Sequence, residues 1–129
     1  MYSKEMSGID TALNFSTEVA MSRLAVVAGT GIEGRASIIR KHAHKGLPAL
    51  LQRDHNNSHH ENSIAVYLPV PRLGGLLGNS NEQIGYIKDN LATWVSIKMD
   101  SGKTVTATVS SYYAPPREDS PQVILRLEY

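Results

Sequence analysis

The stretch "RDHNNSHHENSIAV", Arg53 to Val66, sets three histidines and three asparagines among charged groups, directly before an apolar run. Imidazoles suit zinc, and His42, His44, His55, His59 and His60 all fall in loops or near strand ends. The spacing argues against a metal site. His55 and His59 stand four apart, which brings two rings together only on a helix, whereas Asn56, Asn57 and Ser58 between them favour a turn. Solvated turn histidines are therefore the simpler reading, and no cofactor or metal is expected. Nucleophilic hydrolysis has no better footing, because a serine in a G-x-S-x-G setting is absent. "GTGIEG", Gly29 to Gly34, resembles a phosphate-binding glycine motif, but neither a following helix nor an acidic residue after a second strand is expected. Its glycines read as a turn.

The elements that position these residues follow from periodicity. "LAVVAGT" from Leu24 is a β-branched strand running into the glycine turn, and "ASIIRK", "PALLQRD" and "SIAVYLPV" read as further strands. Pro69 and Pro71 should stop the pairing of the last of these. "RLGGLLGNSNE" reads as a long, mobile surface loop before "QIGYI" resumes the strand pattern. A single helix is expected over residues 89–100, capped by Asp89, ended by Gly102, and burying Leu91, Trp94, Val95 and Met99 on one face. "VTATVSSYY" and "QVILRLEY" alternate strictly, with Val123, Leu125 and Leu127 inward in the second. Six or seven short strands and one good helix predict a mainly β (α+β) domain, a small curved antiparallel sheet or barrel.

Bulk properties bound the function. The chain has 129 residues, 41% of them hydrophobic, which is ample for one folded domain over residues 23–129 behind an arm of residues 1–22 that is flexible or forms one short helix. Cysteine is absent, which excludes disulfides and thiolate zinc sites and fits a reducing compartment, the cytoplasm. No run approaches the ~20 apolar residues of a membrane span. A formal charge of +1 leaves no broad positive field, so nucleic-acid binding, if present, must be local.

"LQRDHNNSHHENSIAV" followed by "QIGYIKDNLATWVSIKMDSG" resembles the HIRAN domain, found in DNA-remodelling helicases and as free-standing bacterial and phage proteins. Arg53, Asp54, Asn57, Asn62, Ser63, Ile64 and Val66 match its first signature. Ile84, Gly85, Tyr86 and Ile87, then Ala92, Met99 and Asp100, match the second. The resemblance covers roughly residues 24–128 and implies a small barrel akin to the OB and SH3 folds. It also implies binding of single-stranded DNA or DNA ends, in some members a free 3′ end, in DNA repair or phage-related settings.

Two departures bear on that activity. Members with 3′-end activity carry two aromatics in the turn after the first strand, where this chain has Ile32 and Glu33. Their aromatic-acid pair is here His59-His60, which keeps a ring able to stack and loses a carboxylate able to accept from a terminal hydroxyl. The reading from sequence is thus a non-enzymatic single-strand-binding module with a pocket of Asn57, His59, His60, Asn62 and Tyr86, and with Arg35, Arg53 and Lys88 as its cations. A protein-interaction domain that kept the barrel and lost the pocket, with a protein partner instead of DNA, is the alternative. A metal-dependent hydrolase ranks third.

Overall fold

The computed structural model describes residues 21–54 and 63–129. The elements are β1 (Ser22–Ala28), α1 (Arg35–His42), β2 (Pro48–Arg53), β3 (Ile64–Pro71), β4 (Asn79–Ile87), α2 (Asp89–Asp100), β5 (Thr106–Tyr113) and β6 (Gln122–Glu128). Six antiparallel strands close into a barrel in the order β1-β4-β3-β2-β5-β6. Alternation builds the interior: Ala25 and Val27 from β1, Ala107 and Val109 from β5, and Val123, Leu125 and Leu127 from β6 all point inward and are buried. Ile64, Val66 and Leu68 of β3 and Ile84 and Ile87 of β4 complete the wall. Met21 and Tyr129 extend the β1–β6 pairing, exchanging backbone hydrogen bonds of 2.7 and 3.1 Å.

Several expectations from the sequence are corrected. "ASIIRK" is not a strand but the body of α1, with Gly34 in the left-handed region (φ 87°) opening it. The adjacent Ile38 and Ile39 look strand-like, yet only Ile39 is fully buried, and Arg40, Lys41 and His42 suit the negative end of a helix dipole. A helix therefore does follow the glycine turn, although β1 pairs only antiparallel, which is not the parallel unit of a dinucleotide-binding fold.

Pro69 and Pro71 do not stop pairing either, because β3 stays in register with β4 through Pro71↔Asn79. Beyond Tyr67, β3 has no β2 partner, so the missing N–H groups can face that unpaired side without loss. The supposed long loop shrinks accordingly to residues 72–78. Its turn is internally bonded, with the Arg72 N–H donating to the Gly78 carbonyl at 2.8 Å.

The helix α2 lies where expected, but its N-cap position falls on Lys88, whose own side chain makes no capping bond, and Asp89 is its first residue. Its C-terminus is a Schellman turn: the Gly102 N–H (φ 91°) donates to the Met99 carbonyl at 3.0 Å and the Lys103 N–H to the Lys98 carbonyl at 3.1 Å. Ala92 and Val95 are buried, whereas Leu91, Trp94 and Met99 are half-buried at the margin of the core.

Trp94 is thus not the buried anchor expected. Its ring meets Tyr129 edge-on at 4.8 Å between centroids, and the Arg23 guanidinium and Lys98 ammonium lie 4.6 and 5.3 Å from its centre. Trp94→Ala should cost about 2 kcal/mol in chemical denaturation, below the ~3 to 5 kcal/mol of a fully buried ring and carried partly by those cations. A loss under about 0.5 kcal/mol would show that α2 does not depend on this cluster.

Candidate functional site

The chemistry-bearing residues gather where β1, β2 and β4 stop and β3 begins. A bulge between Val66 and Tyr67 shifts the β3–β4 register, so Ile84 and Ile87 both reach the core although they are three apart. Tyr86 between them falls on the outer face opposite Ala28 and Ala65, two side chains too small to cover it. Simple alternation could not decide that orientation; the bulge does. The Tyr86 hydroxyl donates to Asp54 Oδ2 at 3.4 Å, and Arg35 lies over the ring, 5.5 Å from its centre.

Arg35 is held from below, its Nη1 donating to the Gly29 carbonyl at 2.9 Å. A Cβ at Gly29 (φ 77°) would come within 3.2 Å of that Nη1, so glycine here lets the guanidinium close over the turn. The turn is anchored behind as well. The Thr30 hydroxyl is buried and donates to the Pro121 carbonyl at 2.6 Å, and a Cβ at Gly31 would collide with Ser120 Oγ. From α1, Arg40 reaches the Pro115 and Glu118 carbonyls at 3.4 and 3.0 Å, tying the helix to the β5–β6 connection.

Arg53 and Asp54 form one stem of the segment 55–62 and Ser63 the other, with the Asp54 N–H donating to the Ser63 carbonyl at 2.9 Å. Of the residues expected at the site, Asn57, His59, His60 and Asn62 lie outside the described residues. Tyr86 and Arg35 are in contact, and Lys88 is exposed two residues beyond Tyr86 at the start of α2. Arg53 is not available in the same way. Its Nε and Nη2 each donate to a different Asp100 carboxylate oxygen at 3.1 Å, and its Nη1 reaches the Ser63 carbonyl at 3.4 Å. Asp54 belongs with Tyr86, although its place in the sequence marks it only as a signature match.

Charge is distributed more favourably than the total suggests. The first twenty residues hold one Lys and three acidic groups, so residues 21–129 carry twelve Lys and Arg against nine Asp and Glu. Among the described residues no group of three or more His, Asp or Glu is placed to hold a metal ion, and no helix is long and apolar enough to cross a membrane.

No family model matches the sequence, and no curated protein does. Among solved structures, the chain resembles the HIRAN domain of human HLTF, with a TM-score of 0.56 and 20% identity over 85% of this chain and 76% of that one. It also resembles a protein from Lactobacillus plantarum, with a TM-score of 0.59 and 21% identity over 86% of this chain and 96% of that one. At this identity the likeness is one of architecture: the chain has a HIRAN-like fold.

Proposed function

We propose that this protein is a non-enzymatic nucleic-acid-binding module that takes a single strand of DNA, or a strand end, on the Tyr86 surface. One observation carries the reading. An outward tyrosine ring, an arginine over that ring and both stems of the 55–62 segment meet at one end of a HIRAN-like barrel. Tyr86 stacks on a base, Arg35 and Lys88 neutralise phosphates, and Asn57, His59, His60 and Asn62 supply hydrogen bonds from the adjoining segment.

The test is a fluorescence-anisotropy titration against single-stranded, blunt duplex and 3′-overhang oligonucleotides. Tyr86→Ala should weaken single-strand binding by about 5- to 150-fold, the loss of one stacked base, while Tyr86→Phe should retain most of it. The slope of log affinity against log salt should be about −1.4 to −2.1, that of two or three phosphates on a single strand. A much steeper slope would place the contact on a broader basic face.

A second reading, a protein-interaction module, is favoured by the hairpin tip between β3 and β4. Leu73, Leu76 and Leu77 stand exposed there, Leu76 to 82%. The same titration separates the two readings, since a folded protein that binds none of the oligonucleotides supports this one.

A further inference from the structure

The outer wall of the barrel changes character from strand to strand. On β5 the outward positions Thr106, Thr108 and Ser111 are polar, whereas on β1 they are Leu24, Val26 and Ala28. Register joins the strands into rows. Val26 faces Ile124 of β6, which faces Ser111, and Leu24 faces Arg126, which faces Thr108. Ala25, Val27 and Leu125 between them are buried, so these side chains point away from the core, Leu24 being 60% and Val26 40% exposed. An antiparallel wall that faces water alternates apolar in and polar out, as β5 does, so an outward apolar strip over β1 and β6 is the mark of a face with a partner.

We propose that the partner is the chain's own N-terminal segment, residues 8–17 forming a helix that lies back along β1 and residues 18–20 connecting it to the strand. The entry point is fixed, because the Met21 N–H donates to the Tyr129 carbonyl at 2.7 Å and so holds the connection at the Ser22 end of the strip. The lengths match. Ten helical residues span about 15 Å, and Ser22 to Ala28 spans about 20 Å of strand. Three residues are enough to join a helix to a strand. Ser7 and Asp10 stand at the spacing of a helix N-terminus, and Ile9, Ala12, Leu13 and Ser16 then share one face, opposite Asp10, Asn14 and Thr17. Charge agrees as well. Residues 1–20 hold one Lys and three acidic groups, opposite in sign to residues 21–129. The Arg126 guanidinium, donating to Ser22 Oγ at 3.0 Å, stands at the end of the strip where Glu18 enters.

The experiment uses the full chain and two readouts. A urea double-mutant cycle of Leu13→Ala and Leu24→Ala should give a lower midpoint for each single variant and losses that do not add in the double one, because each removes the same contact. The chain has no cysteine, so introduced pairs report without background. Leu13→Cys combined with Leu24→Cys should close a disulfide within one chain on oxidation in dilute solution, and Leu13→Cys combined with Leu76→Cys, at the hairpin tip, should not. Non-additive losses support the contact even where the two thiols miss the narrow geometry of a disulfide. Additive losses overturn the proposal, as does equal closure of both cysteine pairs. Disulfide-linked dimers that form faster in Leu24→Cys alone than in Leu76→Cys alone would assign the strip to a second copy of the chain and overturn it too.

Discussion

Gly85→Ala should destabilise the barrel by about 3 kcal/mol or more, a large share of the ~5 to 15 kcal/mol that holds a domain of this size folded. The reason lies in how β1 meets β4. The two strands pair only at Val27↔Ile87 and Ala28↔Tyr86, the point at which the barrel closes. A Cβ at Gly85 would collide with the Ala28 carbonyl oxygen and sit 2.6 Å from Val27 Cγ1. Neither neighbour can retreat: Val27 is buried in the core, and Ala28 leads into the Gly29 turn that Thr30 ties to Pro121. Because Gly85 sits between Ile84 and Tyr86, a shift of β4 would also move the ring proposed to stack on DNA. Urea denaturation measures the effect, and a loss under about 1 kcal/mol would show that β1 and β4 stand further apart than this contact requires.

That glycine shows what the sequence could and could not reveal. "IGYI" stood out as a motif, but nothing in its letters distinguishes a glycine needed for a ligand from one needed because another strand crosses it. Strands with strict alternation, β5 and β6, were legible because burial on one face imposes a period of two. The α1 helix was missed for the opposite reason. In eight residues with two adjacent isoleucines, local preference favours a strand, and only packing of Ile39 into the core and anchoring of Arg40 by the β5–β6 connection decide otherwise. The orientation of Tyr86 depended on a bulge, which shifts inward and outward faces without marking the sequence.

Arg53→Ala should cost about 2 to 3 kcal/mol of stability yet leave the salt dependence of single-strand binding unchanged. The sequence pattern sets Arg53 among the cations of a DNA pocket. The structure commits it elsewhere: its side chain is only 12% exposed, and its guanidinium fork grips both Asp100 oxygens at 3.1 Å, joining the end of β2 to the end of α2. Asp100 is 53% exposed, so the pair is worth more than a surface ion pair, ~0 to 1 kcal/mol, and less than the ~3 to 5 kcal/mol lost when a buried one is broken. The third bond, to the Ser63 carbonyl at 3.4 Å, adds the stem of the 55–62 segment to the loss. Arg53→Lys keeps the charge without the fork and should recover less than half of the stability. A guanidinium already neutralised by Asp100 releases few counterions from DNA, so the slope against log salt should stay near its wild-type value at reduced protein stability. A slope shallower by about 0.7, the share of one phosphate on a single strand, would instead make Arg53 a backbone contact and Asp100 its mere resting partner.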